Sequence, residues 1–238
     1  MSSAGFPAAQ EQEIGKRRAA HAALEYVVDG AMVGLGTGST VKYFLLELRT
    51  RLQQGLRIQG VATSRETAEF AKQLQIPLLP DEEEWSLDLA IDGADQVDEN
   101  LHLIKGGGGA LLREKIVAAA AREFVVIVDA SKCVPTLGSP VPVPVEVIPF
   151  GWPNTARLLR RHGWVGTLRT RNGAVFRTDS GNYILDLVVD RIEDPISIES
   201  TLNHIPGVVE NGVFAGRANR VIVGSSHGVE VKEARGRT

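Results

Sequence analysis

The sequence is poor in cysteine and has no large excess of charge of either sign. Cys133 is the only cysteine among 238 residues, which excludes an internal disulfide and leaves too few thiolates for a zinc or iron–sulfur site. Lysine and arginine total 26 against 29 aspartates and glutamates, for a net charge of -3. This balance disfavours nucleic acid and anionic membranes as partners, so an anionic small ligand would need a local positive site.

Long apolar runs are also missing. No stretch reaches the roughly 18 apolar residues of a membrane span, and the start, MSSAGFPAAQEQEIGKRR, lacks the apolar core of a secretory signal. We therefore expect a cytoplasmic protein with no membrane anchor. The length of 238 residues allows one large domain or a main domain with a smaller companion, and we expect the second arrangement.

Strand-like and helix-like segments alternate through the first half of the chain. Apolar periodicity predicts helices over about 10–28 and in VKYFLLELRTRLQQG, and Thr63 and Glu66 have the spacing of a capping box before a third helix. Strands are predicted in AMVGLG, LRIQGVA, IPLL, SLDLAID, LHLIK and FVVIVDA, with a further helix in ALLREKIVAAAARE. Such alternation is typical of an α/β fold with a doubly wound, mainly parallel, Rossmann-like sheet.

Prolines cluster in one stretch, with six between Pro135 and Pro153. Because proline lacks an amide donor, this stretch is predicted to be extended chain, an edge strand or a connector, and it is a natural domain boundary. Beyond it, short strands and helices mix in a way that is typical of a smaller α+β domain.

The segment GLGTGST, residues 34–40, joins the first predicted strand to a helix. Its glycines let the loop turn backbone amides toward one point, and the helix amino terminus adds partial positive charge there. A phosphate group fits such a site. The alternative is a tight turn in which Ser39 or Thr40 only caps the helix.

Two nucleotide-binding loops are similar to this segment but differ in spacing. A dinucleotide site needs G-x-G-x-x-G and an acid after the next strand, whereas this loop reads G-x-G-x-G and that strand leads to Thr63 and Ser64. A Walker loop needs Gly-Lys-Ser/Thr, which is missing. A phosphate without a nucleotide is the better interpretation, and a nicotinamide-dependent reductase is disfavoured.

The segment DGADQVDENLHLIKGGGGALLREK combines glycines with charges. Ligands of parallel α/β sheets lie beyond the carboxyl ends of the strands, where Asp92, Asp95 and Lys105 are expected. The glycines at 106–109 would expose backbone donors suited to negative charge on an oxygen atom. Glu114 follows about one turn later, within reach of whatever those donors hold.

Glu114 would serve as a general base if burial raised its pKa, although Arg113 and Lys115 would oppose the rise. Each charged residue also has an ordinary structural explanation. A glutamate in REK is usually part of a surface ion pair, the two aspartates could form turns or cap a helix, and Lys105 could be a solvated charge. The combination is more specific than any single member.

Several motifs follow one another in a fixed order: GLGTGST, DGAD, IKGGGGALLREK, VDASK, PVPVEVIPF, GNYILDL and VVENGVF. With them the chain closely resembles the ribose-5-phosphate isomerase type A family over almost its whole length. The resemblance implies a discontinuous main domain (1–133 and 207–238), a smaller α+β domain (134–206), no cofactor and no metal, and a homodimer or a tetramer. Gln96, where a glutamate is common after DGAD, is a small departure that removes no functional position.

The resemblance also implies roles for individual residues. Glu114 would be the proton acceptor, with Asp92 and Lys105 as further catalytic residues. Lys132, which alone would be read as a solvated loop charge, would be a substrate ligand. The implied substrate-binding residues are Thr37, Gly38, Ser39, Thr40, Asp92, Gly93, Ala94, Asp95, Lys105, Gly106, Gly107, Gly108, Lys132 and Lys16.

The implied reaction interconverts D-ribose 5-phosphate and D-ribulose 5-phosphate through a cis-enediolate. Asp92 is the choice to assist opening of the sugar ring and Asp95 to hold hydroxyls, but the sequence does not decide between them. The alternative is a sugar-phosphate sensor without catalysis, because the effector domains of some transcription regulators share a related fold. Such regulators carry a DNA-binding module ahead of that domain, which we do not expect in the about thirty residues before the first strand.

Overall fold

The computed structural model describes residues 8–234; residues 1–7 and 235–238, assigned above to the main domain, lie outside the described residues. The helices are α1 (Ala8–Ala23), α2 (Ser39–Gln53), α3 (Arg65–Gln73), α4 (Leu111–Ala120), α5 (Trp152–Arg161) and α6 (Pro195–Asn203). The strands are β1 (Ala31–Leu35), β2 (Ile58–Ala62), β3 (Leu87–Asp92), β4 (Gln96–Val97), β5 (Leu103–Ile104), β6 (Ala121–Asp129), β7 (Val143–Val147), β8 (Val165–Leu168), β9 (Thr170–Arg171), β10 (Ala174–Val175), β11 (Tyr183–Val188), β12 (Val208–Asn211), β13 (Val213–Phe214), β14 (Arg220–Gly224) and β15 (Val229–Glu233). Over residues 8–234, none of the helices has the length and apolar character needed to cross a membrane.

A six-stranded sheet in the order β15-β14-β6-β3-β1-β2 forms the centre of the main domain. Five of its strands are parallel, and β15 runs antiparallel to β14. The chain winds outward from β1 in both directions, first to β2 and then through β3 to β6. This topology confirms the prediction of a doubly wound, mainly parallel, Rossmann-like sheet.

Successive residues of the central strands pack on opposite faces of this sheet. In β6, Val125 and Ile127 belong to a core shared with α1, α2 and α3, whereas Val126 and Val128 belong to a core shared with α4. The alternation follows from the period of two residues in a β-strand. Because both faces are covered, these strands read in the sequence as continuous apolar runs.

The smaller domain contains an antiparallel sheet of four strands in the order β12-β7-β11-β8. Helix α5 contacts β8, helix α6 contacts β12, and a separate apolar core joins these helices to the sheet. The expected α+β unit is thus confirmed. Strand β12 carries this sheet beyond residue 207, and the division of the chain at residues 134 and 207 stays a prediction.

Two strands predicted for the main sheet are absent from it. In LHLIK only Leu103–Ile104 is a strand, and it pairs antiparallel with β4 and β13 in a separate three-stranded sheet. Leu101 has a φ of 62° that breaks the extended chain, and β3 pairs directly with β6, which leaves no space between them. IPLL forms only an isolated bridge between Gly60 and Leu78.

The proline-rich segment is extended as predicted, but its strand is not at an edge. Strand β7 contains Pro144 and lies between β12 and β11. The Pro144 carbonyl accepts the Gly212 amide at 2.7 Å, and the Gly212 carbonyl accepts the Lys105 amide at 2.8 Å. The Pro144 carbonyl is therefore satisfied by Gly212, and Gly212 links this strand to the glycine-rich segment of the main domain.

Lys115 on α4 ties the two domains together. Its ammonium lies 2.8 Å from carboxylate oxygens of Glu199 and Glu210 and from the carbonyls of Asn211 and Val213. Burial raises the pKa of Glu199, but Lys115 and a nearby arginine outweigh that effect and hold the pKa below its usual value. Lys115 and Glu199 are buried, and the Glu210 side chain is 16% exposed.

We predict that Lys115→Met lowers the free energy of unfolding by about 3–5 kcal/mol, because it removes the cation that Glu210 pairs with and leaves the buried Glu199 only the partly exposed Arg217. Lys42 offers a matched control, since its ion pair with Glu66 is exposed. Lys42→Met should cost at most about 1 kcal/mol. Urea unfolding at pH 7 measures both values, and equal losses in the two variants would contradict the prediction.

Candidate active site

A cavity of about 160 Å³ lies beyond the carboxyl ends of β1, β3 and β6. With the exception of Asp92, every residue predicted to bind substrate or catalyse lines this cleft, and their roles stay predictions. Its lining consists of Gln12, Lys16, Thr37, Gly38, Ser39, Thr40, Gly93, Ala94, Asp95, Lys105, Gly106, Gly107, Gly108, Glu114, Asp129 and Lys132.

One end of the cleft is the amino terminus of α2. The helix begins after Gly38, whose φ of 118° suits a residue without a Cβ atom. Within the described part of the chain, the amides of Gly38, Ser39 and Thr40 donate to no protein acceptor. These free donors and the positive end of the helix dipole form a site for an anion such as phosphate.

Thr37 supports this loop from behind. Its amide donates to Asp92 Oδ1 at 2.9 Å, and its hydroxyl lies 2.8 Å from the hydroxyls of both Thr63 and Ser64 and 3.1 Å from that of Thr67. The amide and the hydroxyl of Thr37 are thus engaged within the protein. The end of β2, where a dinucleotide site would need an acid, is followed by hydroxyl groups that hold Thr37 of the 34–40 loop instead.

A buried ion pair lies at the other end of the cleft. The Lys105 ammonium is 2.9 Å from Asp92 Oδ2 and 3.5 Å from Glu114 Oε2, and it donates to the Gly93 carbonyl. Asp92 Oδ1 accepts the Thr37 and Gly93 amides. Glu114 is 5% exposed, and its Oε2 accepts no hydrogen bond from residues 8–234. Asp92 Oδ2 forms no hydrogen bond among these residues either, so the two carboxyl groups differ in their distance to Lys105 and in the two amides that Asp92 Oδ1 accepts.

Burial and charge compete at this pair. Burial lowers the pKa of Lys105, but the carboxylates of Asp92 and Glu114 outweigh that effect and the net shift is upward. Burial raises the pKa of Glu114 to about 8, against the attraction of Lys105 and with repulsion from Asp92 and Asp95. A carboxyl group with such a pKa can exchange its proton near neutral pH.

The two basic neighbours of Glu114 in the sequence do not oppose this shift as expected. Arg113 turns toward Asp81, at 3.3 Å, and Lys115 is engaged between the domains. The opposing positive charge comes from Lys105, nine residues earlier in the sequence. Side chains at consecutive helix positions diverge by about 100°, which separates Glu114 from both neighbours.

The glycine run forms the wall between these two ends. The Gly107 amide donates to Asp95 Oδ2 at 2.8 Å, while the Gly108 amide has no acceptor among the residues described. A Cβ atom at Gly107 would lie 2.8 Å from Asp95 Oδ1, so a larger residue would separate the two. Asp95 itself faces the cleft.

Two lysines supply positive charge to the cleft. Lys16 on α1 lies 2.7 Å from Glu13 Oε1, and hydrogen bonds from Lys16 and Tyr43 lower the pKa of Glu13. Lys132 has no acidic partner within 4 Å in the described part of the chain. The net charge of the chain is -3, but these lysines give the cleft the local positive charge that an anionic ligand would need.

Three residues near the cleft were missed in the sequence. Gln12 and Asp129 line it, and Asp129 accepts the Ser131 amide at 3.0 Å and so caps the short turn that carries Lys132. Asp129 belongs to the quoted motif VDASK, which could have revealed it. Arg169 reaches the glycine run from the smaller domain, and no local pattern indicates this contact.

Among residues 8–234, no group of three His, Cys, Asp or Glu side chains is arranged to hold a metal ion.

Comparisons with known proteins agree with this geometry. A family model described as ribose 5-phosphate isomerase A (phosphoriboisomerase A) matches residues 59–228. The ribose-5-phosphate isomerase A of Thermomicrobium roseum is 49% identical over 223 residues, which cover 93% of this chain and 94% of that protein.

Solved structures give the same result. A D-ribose-5-phosphate isomerase in complex with phospho-erythronic acid has a TM-score of 0.90 at 43% identity, covering 93% of this chain and 99% of that one. The ribose 5-phosphate isomerase from Plasmodium falciparum has a TM-score of 0.90 at 36% identity, with 94% and 99% covered. Fold and site together define a sugar-phosphate isomerase. The chain belongs to the ribose 5-phosphate isomerase A family, so the alternative of a sensor without catalysis is set aside.

We predict that Glu114→Gln flattens the dependence of stability on pH. The Glu114 pKa rises from 4.5 to about 8 on folding, so the folded state holds an extra proton between these values. Its contribution to stability is complete below the lower value and is lost as pH rises through the upper one. In urea unfolding from pH 5 to 9, the parent should lose stability relative to this variant. Glu99→Gln, at an exposed turn, should follow the parent, and parallel curves for all three proteins would refute the linkage.

Proposed function

We propose that this isomerase interconverts D-ribose 5-phosphate and D-ribulose 5-phosphate through a cis-enediolate, with Glu114 as the general base. One observation carries the proposal: the Glu114 carboxyl is buried beside Lys105, has one oxygen without a hydrogen bond, and lines the same small cleft as the free amides of α2. A base of raised pKa within reach of a bound sugar phosphate suits proton removal next to a carbonyl group.

The substrate phosphate would bind at the amino terminus of α2. The amides of Gly38, Ser39 and Thr40 provide donors, and Lys132 and Lys16 provide positive charge. A solved relative is in complex with phospho-erythronic acid, a ligand that carries a phosphate and a carboxylate on one short chain. Its planar, anionic carboxylate has the charge and shape of an enediolate.

Ring opening requires a group that moves a proton between the ring oxygen and the C1 hydroxyl. From the sequence alone, Asp92 is the choice for this step. The geometry favours Asp95 instead. Asp92 is buried and does not line the cleft; its Oδ1 accepts the Thr37 and Gly93 amides, and its Oδ2 lies 2.9 Å from the Lys105 ammonium. Asp95 faces the cleft and shares only one oxygen with a backbone amide.

The proton transfer then follows in two steps. Glu114 takes the proton from C2, the C2–H electrons form the C1–C2 double bond, and the aldehyde oxygen becomes negative. The O2 proton passes to O1, Glu114 returns its proton to C1, and O2 becomes the ketone oxygen. No proton or electron is gained or lost overall.

Negative charge on the sugar oxygen would be stabilised from two sides. Lys105 supplies an ammonium group on one side of the cleft, and the Gly108 amide supplies a free donor from the glycine run. Donors fixed before the reaction need no rearrangement as charge develops, and removing one typically costs about 100- to 1,000-fold in rate.

We propose a cytoplasmic location and a homodimer, with a tetramer as the alternative.

We predict that Glu114→Gln lowers kcat by at least about 100- to 10,000-fold, the usual contribution of a general base. In heavy water, the parent should place deuterium at C1 of ribulose 5-phosphate, and this variant should lose exchange and turnover together. Affinity for inorganic phosphate, measured by calorimetry, should change little because the α2 site is intact. A variant that keeps its turnover would remove Glu114 from the mechanism.

We predict that Asp95→Asn impairs ring opening specifically. At rising enzyme concentration, its initial rate from ribose 5-phosphate should level off, because spontaneous opening of the furanose becomes limiting. Its rate from ribulose 5-phosphate, which cannot form that ring while O5 carries the phosphate, should stay proportional to enzyme. Asp92→Asn serves as the comparison: it disturbs Lys105, so both directions should slow without levelling off. If Asp92→Asn alone shows the plateau, the assignment reverts to Asp92.

A further inference from the structure

Arg169 is a residue of the smaller domain whose side chain reaches the glycine run of the main domain. It lies between β8 and β9, where its amide donates to the Ile184 carbonyl and its carbonyl accepts the Phe176 amide, both at 2.9 Å. The side chain is 12% exposed. Backbone and side chain are thus held in one position.

The guanidinium group connects an acid to two peptide carbonyls. Its Nε lies 2.8 Å from Asp186 Oδ2, and its Nη2 pairs with the other oxygen of the same carboxylate. Its Nη1 donates to the Gly106 carbonyl at 2.9 Å and to the Gly107 carbonyl at 3.1 Å. The planar group, fixed by two bonds to Asp186, holds both carbonyls at defined positions.

The carbonyl contacts determine where the amides of the same peptide units point. In a planar trans peptide, the C=O and N–H bonds point in opposite directions. The carbonyl of Gly106 faces Arg169, and the amide of Gly107 faces Asp95 at 2.8 Å. The carbonyl of Gly107 also faces Arg169, so the Gly108 amide points away from the smaller domain, toward the cleft that Gly108 lines.

The glycines themselves provide little to fix these peptide orientations. A residue without a side chain has the widest choice of backbone angles, and Gly107 and Gly108 are exposed on the cleft wall. A cation at the carbonyl also polarises the peptide unit and makes its N–H a stronger donor. Arg169 therefore acts on both the direction and the strength of the Gly108 amide.

We propose that Arg169 is a positioning residue for the isomerisation: through the Gly106 and Gly107 carbonyls, it aims the Gly108 amide at the sugar oxygen that becomes negative. This inference rests on the proposed function. It concerns an arginine that does not line the cleft and would not touch the substrate.

The first test compares Arg169→Met with the parent in steady-state kinetics. The variant should lose roughly 10- to 100-fold in kcat, the effect of small misplacements at a reacting centre, with little change in KM because the α2 phosphate site is separate. Arg177→Met is the matched control. Arg177 also donates to a glycine carbonyl, that of Gly181, but does not contact the glycine run, so its kcat should match the parent.

The second test separates positioning from simple structural support. The inhibition constant of phospho-erythronic acid should rise in Arg169→Met in step with the loss of kcat, because its carboxylate would need the same donor. The inhibition constant of inorganic phosphate should stay at the parent value. Equal weakening of both inhibitors, or a kcat within twofold of the parent, would overturn the proposal.

A double variant controls for the charge left on Asp186. Arg169→Met with Asp186→Asn removes both charges of the pair, so no unpaired carboxylate destabilises the folded state. Under the proposal kcat stays low in the double variant although its resistance to urea recovers. Recovery of kcat together with stability would show a structural role alone. If the parent itself fails to isomerise ribose 5-phosphate, the proposed function is wrong. If the parent is active and Arg169→Met has the same kcat, only the role of Arg169 is wrong.

Discussion

The site depends on one buried ammonium group that two carboxyl groups share. Lys105 lies 2.9 Å from Asp92 and 3.5 Å from Glu114. Where water is excluded, one positive charge compensates one negative charge far better than two. Asp92 has the shorter contact and also accepts the Thr37 and Gly93 amides. Glu114 has neither advantage; burial, with repulsion from Asp92 and Asp95, raises its pKa against the attraction of Lys105, which suits the proposed role of a group that exchanges a proton.

Helix α4 directs three successive charged side chains to three different environments. Arg113 lies toward the surface near Asp81, Glu114 faces the cleft, and Lys115 is buried between the domains. The turn of about 100° per residue makes this separation possible. One short helix thus carries the proposed base and the main polar link between the domains, while the base is kept apart from both adjacent positive charges.

Much of the cleft could be predicted from motif spacing, because the carboxyl ends of parallel strands meet at one edge of the sheet. LHLIK shows the limit of that reasoning. Its apolar pattern predicts a strand but cannot say which sheet the strand joins, and Lys105 reaches the cleft from a small antiparallel sheet. Pro144 shows a second limit: a proline suggests an edge strand, but β7 lies inside its sheet, and the Gly212 amide that the Pro144 carbonyl accepts lies far away in the sequence.

By itself, the sequence determined the α/β alternation, the glycine-rich loop at 34–40 and most of the residues that line the cleft, because periodicity and loop chemistry are local properties. Only the tertiary structure decided which carboxyl group has the raised pKa and brought Arg169 to Gly107, 62 residues away along the chain. A pKa depends on the exclusion of water and on charges within a few ångströms. Both arise only when distant segments pack together, so no local pattern could contain them.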